Sequence, residues 1–357
     1  MRLHAICAAA LACCAGLVPS TAVQAAPDTF TVTAVDHPYG EHFFQGIDIN
    51  RWGAVVAVVS LPDNSYWYTG PNGIGVHFPT FAGNFIQTIY GINDRGQVVG
   101  TYHVYASRTD YAYVTDTAGV AVSIHPDFAA TSTAQEINNR GQVTGQVNVG
   151  GEVRAFISNN GESKFRSTGG LGQSFGRSIN DSGQVAGWTT LDSGEQHAFV
   201  TGPQGVGMTD LGTLGGTWSL AWRINASGRV VGGATDAAGV QRPAISNEDN
   251  TGLLDLTKQG DNHGFSDRGF AYGINRHGHV VGYAVDSTGN YLAFVTSKNG
   301  QDMRDLNAYA TSPDGSPFTV AKAINDRGQI IAETDDDESP VWLLTPTRST
   351  WEDELEE

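Results

Sequence analysis

Histidine, tyrosine and carboxylate side chains gather at four places in this chain. Residues 36–42 read Asp36-His37-Pro38-Tyr39-Gly40-Glu41-His42, and residues 102–105 read Tyr102-His103-Val104-Tyr105. His125-Pro126-Asp127 and Asp261-Asn262-His263 complete the set. A histidine beside a tyrosine has the means for proton abstraction, because imidazole titrates near neutral pH. That is the chemistry of a lyase acting on an acidic sugar. His37, His42, His103 and His125 could also gather a metal, but no two of them share a spacing such as His-x-x-x-His, so no metal centre is expected. A third role is binding: a tyrosine ring takes the apolar face of a sugar while His, Asp or Glu meets its hydroxyls. The candidate ligand-binding residues are therefore His37, Tyr39, Glu41, His42, His103, Tyr105, His125, Asp127 and His263. No cofactor is expected. No Gly-x-Ser-x-Gly, phosphate loop or dinucleotide fingerprint follows a strand-to-helix transition, and the acidic run 335–338 lacks the alternation of a calcium loop.

A repeat must hold these groups. Ile-Asn-x-x-Gly occurs seven times, with its Asn at positions 50, 93, 138, 180, 225, 275 and 325. Periods of about 40–50 residues mark propellers and related arrays. Asn folds its side chain onto backbone N–H groups just ahead of it. The Gly three residues later supplies a left-handed backbone position, so each copy encodes a short hairpin. Two residues after that Gly stands a β-branched residue in every copy: Val55, Val98, Val143, Val185, Val230, Val280 and Ile330. Two further on the residue is always small, from Ala57 and Gly100 to Gly282 and Ala332. That strand is expected to be buried against a close neighbour. Replacing one of these Asn residues by Ala is expected to cost about 1 kcal/mol, the value of a local cap.

Each copy holds four short apolar stretches between turns, the pattern of strands. At the start of the chain, 30–35 resembles the fourth stretch of a copy. The last copy has no fourth stretch of its own. The N-terminal strand can complete it and remove the free edges. The fold class expected is all-β: a seven-bladed β-propeller of four-stranded blades, closed by the N-terminal strand. The hairpins would then lie on one face and the candidate residues on the other. His277 and His279, on a hairpin, are expected at the surface.

The fourth copy reads His197-Ala198-Phe199, followed by Asp210-Leu211-Gly212-Thr213-Leu214-Gly215-Gly216 and the next Ile-Asn-x-x-Gly. This resembles the extracellular repeat family named for its His-Ala-Phe motif, the HAF repeat. The resemblance implies a repeat architecture and a place outside the cytoplasm. It implies no activity, and it makes His197 a structural residue.

The remaining features bound location and partners. Residues 1–25 carry a basic start, an apolar stretch and a Val23-Gln24-Ala25 cleavage site, a secretory signal. The mature chain is expected to start at Ala26, with the propeller over 26–346 and an acidic tail over 347–357. All three cysteines, Cys7, Cys13 and Cys14, fall in the signal, so packing alone must stabilise the exported chain. The apolar stretch is too short to span a membrane. A net charge of −17 repels phosphate backbones and excludes nucleic acid as a partner. The function expected is a secreted, non-enzymatic, monomeric propeller that binds a glycan or an extracellular protein. The alternatives are a polysaccharide lyase or hydrolase using the rim of the first three blades, and a structural protein of the envelope or matrix.

Overall fold

The computed structural model describes residues 29–35, 44–59, 66–69, 75–77, 85–127, 129–158, 165–167, 172–335 and 341–347. Among these the elements are strands and four single-turn 3-10 helices. The strands pair into five antiparallel sheets of four and one sheet of eight, which is two such four-stranded units, the fourth and fifth, joined by a parallel bridge between Gln196 and Trp218. The fifth unit is typical: Gly215–Ile224, Val230–Asp236, Gln241–Ser246 and Leu253–Asp255 follow one another in space as in sequence. One strand of each unit meets its counterparts in the neighbouring units: Phe44–Ile49, Phe85–Ile92, Thr131–Ile137, Ser174–Ile179, Gly215–Ile224, Phe265–Ile274 and Phe318–Ile324. These seven inner strands surround a central channel.

The last unit is completed from the other end of the chain. Phe30–Ala34 pairs with Trp342–Pro346, in a register that sets Phe30 opposite Pro346 and Ala34 opposite Trp342. Phe30 is buried in one cluster with Phe318, Trp342 and Leu344. The N-terminal strand thus covers the outer edge of the unit that holds the last hairpin.

Every Asn of the repeat does more than cap its turn. At the fourth hairpin, the Ser182 and Gln184 backbone N–H groups both donate to Asn180 Oδ1 at 3.1 Å. Asn180 Nδ2 donates to Gln184 Oε1 at 2.9 Å and to the Asn225 carbonyl of the next unit at 3.0 Å. The same cross-unit bond recurs from Asn50 to Asn93, Asn93 to Asn138, Asn138 to Asn180, Asn225 to Asn275 and Asn275 to Asn325. Asn325 then donates to the Asn50 carbonyl at 2.9 Å. The seven amides form a closed ring. Gly183, at φ 74°, ends the turn where a β-branched residue would be strained.

The small residue of the second strand has a steric cause. A Cβ on Gly187 or Gly232 would run into the carbonyl oxygen of Phe175 or Leu220 on the inner strand. At that level each inner strand carries one extra residue, a β-bulge. The extra residues are Ile47, Tyr90, Gln135, Arg177, Trp222, Tyr272 and Lys322. The core lies between adjacent units. Tyr113, Phe156, Phe199 and Phe294, one from each of four third strands, are fully buried. Next to Phe199, His197 Nδ1 sits 2.9 Å from the Asp210 carboxylate and joins the third strand of its unit to the outer one.

One expectation needs correction. His279 is not at the surface but completely buried. It stands four residues after Asn275, where four of the other hairpins place Gln97, Gln142, Gln184 and Gln329. Its Nδ1 accepts from Asn275 Nδ2 at 3.1 Å, as those glutamines accept from their own Asn. An aromatic acceptor replaces an amide one, so its site is interior. His277 is half-buried.

Candidate functional site

The sequence candidates do not form one site among the described residues. His37, Tyr39, Glu41 and His42 lie outside the described residues. His103 and Tyr105 sit at the turn between the second and third strands of the second unit. His103 Nδ1 is 2.7 Å from Asp110 Oδ1, and its ring meets Tyr105 edge-on at 5.5 Å. His125 follows the outer strand of that unit and stacks on Tyr111 at 3.7 Å. Its Nδ1 lies 2.8 Å from Ser132 Oγ of the third unit. Asp110 and Tyr111 are consecutive in one strand, so their side chains leave opposite faces of the sheet. The two histidines therefore stand on opposite sides of one sheet. Burial lowers the His125 imidazole below its usual range. Asp127 and His263 are exposed on separate loops. No group of three metal-ligating side chains occurs among the described residues.

A different set of residues converges, and it is built from the bulges. A bulge opposes two residues to one and re-aims side chains. Here it turns unlike residues toward the channel. The Arg177 guanidinium lies 3.8 Å from the centre of the Trp222 ring and donates to Gln135 Oε1. Trp222 meets Tyr272 nearly edge-on at 5.4 Å. Tyr272 is followed outward by Tyr283 at 6.1 Å and Tyr291 at 5.5 Å beyond that. Four aromatic rings thus run from the channel to the rim, where Tyr291 is 51% exposed. Lys322 Nζ stands 5.2 Å from the Tyr272 ring and 3.4 Å from Glu333 Oε2. Gln241 Nε2 donates to the Tyr283 hydroxyl at 3.2 Å.

Of these groups Tyr272, Tyr283, Tyr291 and Lys322 border a groove of about 700 Å³ between the sixth and seventh units. Tyr272, Tyr283, Tyr291 and Leu292 form one wall, with Thr319 and Lys322 on the other. Its turns join second to third strands, or outer strand to next unit, so it opens on the face opposite the Asn hairpins. Burial pushes the Tyr272 hydroxyl up to about 12, with Tyr283 and Glu333 adding to the rise. Burial also raises Tyr283. Both phenols stay protonated at neutral pH, as donors rather than bases. Burial draws Arg177 down to about 10, and it keeps its charge at neutral pH.

Below this level the channel is crossed by an ion cluster. Arg223 Nη2 lies 2.8 Å from Asp48 Oδ1, and Arg223 Nη1 pairs with Glu136 Oε2. Burial raises the Asp48 carboxyl above its ordinary range, against the pull of Arg223. Asp48 Oδ2 also accepts from the Ile92 backbone at 3.1 Å. On the hairpin side a funnel of about 200 Å³ opens onto the Asn ring.

Sequence reasoning missed the bulge residues. Their signal was present three residues before each Asn. There the copies read Ile47, Tyr90, Gln135, Arg177, Trp222, Tyr272 and Lys322, while the residue just before each Asn is always Ile. A position that varies in charge and aromaticity inside a repeated strand is a break in symmetry as telling as a loop.

No protein-family model matches the chain, and no curated protein matches its sequence. Solved structures do match its shape. An oligogalacturonate lyase in complex with manganese is 13% identical over 91% of this chain and 98% of its own, with a TM-score of 0.54. An oligogalacturonate lyase from Vibrio parahaemolyticus is 10% identical over 90% and 94%, also at 0.54. YCF48 bound to a D1 peptide is 10% identical over 90% and 98%, at 0.51. The fold is a β-propeller. Its four-stranded units are blades, and at these identities the likeness extends no further than architecture. Among the described residues no helix is long and apolar enough to cross a membrane.

Proposed function

We propose that this chain is a secreted propeller of the HAF-repeat kind that binds a glycan and does not transform it. The row of aromatic rings from Tyr272 through Tyr283 to Tyr291, along an open groove, carries the reading. Flat rings spaced along a groove suit the apolar faces of successive sugar residues, with hydroxyl and amide groups at their edges. The leader-like residues 1–25 and the lack of cysteine after Cys14 support export.

The same fold serves sugar lyases and a peptide binder among its structural neighbours, so the site must decide. The lyase alternative needs a base, and the tyrosines that dominate the groove do not supply one. A phenol held near 12 does not abstract a proton at neutral pH. His103 and His125, the described imidazoles of the expected rim, face away from each other. Glycan-array binding of the unmodified protein and of a Tyr283→Ala/Tyr291→Ala variant tests the reading. The variant should keep its fold and lose binding. Retained binding, or loss that follows His103→Ala and His125→Ala instead, would move the site back to the second blade.

A further inference from the structure

The groove also constrains the charge of its ligand. Two of the nearby cations are already engaged. Lys322 is held by Glu333 at 3.4 Å and by the Tyr272 ring. Arg177 is covered by Trp222 and bonded to Gln135. Arg268 is exposed and draws the Tyr283 hydroxyl down against its burial, while Asp335 stands on the groove wall. Among the described residues Lys322 and Arg268 thus stand against Glu333 and Asp335 in equal number, so the aromatic row has no excess of positive charge, and the one exposed guanidinium at Arg268 cannot pair a row of carboxylates. The other polar groups on the walls are neutral: Asn290, Thr319 and the tyrosine hydroxyls. Asn290 Nδ2 is itself committed to Asp286 and Thr288 at 3.1 and 2.8 Å.

A chain of uronic acids carries one carboxylate per residue. Binding it would require charge-assisted forks, which arginine supplies best when its donors are free. It would also bring those carboxylates beside Glu333 and Asp335, on a chain whose formal charge is −17. A neutral sugar meets neither obstacle and uses what the groove presents, rings and uncharged donors. Building on the glycan reading above, we infer that the ligand is an uncharged oligosaccharide of hexose or N-acetylhexosamine units, laid along Tyr272, Tyr283 and Tyr291. This separates the chain from its structural neighbours named for oligogalacturonate, an acidic sugar.

Titration calorimetry of the full chain against cellohexaose, chitohexaose and hexagalacturonate tests this. At least one neutral hexamer should bind about tenfold or more tightly than hexagalacturonate. Its affinity should change less than about twofold between about 50 and 300 mM salt. Tyr291→Ala should weaken it, and Glu333→Gln, which frees Lys322, should narrow the gap by improving hexagalacturonate binding. Tighter binding of hexagalacturonate that collapses with salt would overturn the inference of a neutral ligand while leaving the glycan reading intact. Failure of all three hexamers to bind would overturn both.

Discussion

Asn180→Ala removes four hydrogen bonds at once. Two are the local cap, from Ser182 N and Gln184 N to Oδ1. One is the donation to Gln184 Oε1, and one crosses to Asn225 of the next blade. Each is worth about 1 kcal/mol net, and more where the abandoned partner stays buried. Water can replace Asn180 at the exposed Ser182 amide, and the Asn225 carbonyl keeps its bond from Gly228 N. The loss should therefore be about 3 kcal/mol, well above the ~1 kcal/mol of a cap alone. Asn180→Asp separates the halves. It keeps both acceptor bonds and loses both donations, so it should cost about 2 kcal/mol. Asn247 provides a control outside the ring: its Oδ1 accepts from Thr251 N and Gly252 N, and its amide reaches only Thr251 Oγ1. Asn247→Ala should cost about 1 kcal/mol. Urea midpoints at unchanged slope measure all three. Equal shifts for Asn180→Ala and Asn247→Ala would show that the cross-blade link contributes nothing.

Deleting residues 26–36 removes the strand Phe30–Ala34 and exposes the edge at Trp342–Pro346, so the protein should aggregate or melt earlier; a monomeric product on size exclusion with an unchanged melting temperature would refute closure by that strand. Arg223→Met leaves Asp48 and Glu136 buried without their cation and should cost about 3 kcal/mol or more in urea titration, most of it regained on adding Asp48→Asn and Glu136→Gln. Asp286 is held down to about 2, first by the Asn290 N–H and then by Thr288. A depressed carboxyl contributes stability above its unfolded value, near pH 4, that is lost as pH falls through about 2. Asp286→Ala should flatten the acid limb of a pH–melting curve in that window, and an unchanged limb would show the shift to be unimportant.

The architecture was legible because it is written seven times. Asn and Gly at fixed offsets, a β-branched residue after them and a small residue beyond gave the hairpin and the crowded second strand. The unmatched stretch at 30–35 gave the closure. The reach of the asparagines was not legible: one copy shows a turn, and only the circular arrangement brings Asn325 to Asn50. His279 was misplaced for the same reason, since its partner Asn275 belongs to the ring. The candidate site was less visible. Its aromatic row joins Trp222 of blade five to three tyrosines of blade six, and Tyr283 and Tyr291 share no offset from the repeat Asn with Trp222 and Tyr272. The bulge that aims Tyr272 leaves no residue-type signature. Loops with His and Tyr drew attention because they vary openly, whereas the inner strands vary under a constant Ile.

The seam between the chain ends is fastened at two radii, and the two fastenings would respond differently to force. At the rim, Phe30 lies opposite Pro346, so both ends of the fold leave from the same end of one strand pair. The Thr347 N–H, bonded to the Thr29 carbonyl at 2.9 Å, lies just outside that pair. Pulling the termini apart loads these bonds one after another, as in a zipper, and each yields alone. At the hub, the Asn325 to Asn50 link belongs to a ring whose seven members share any opening strain. An extended chain under tension would therefore peel its first strand at low force, while the hub stays shut until the ring gives way as a whole.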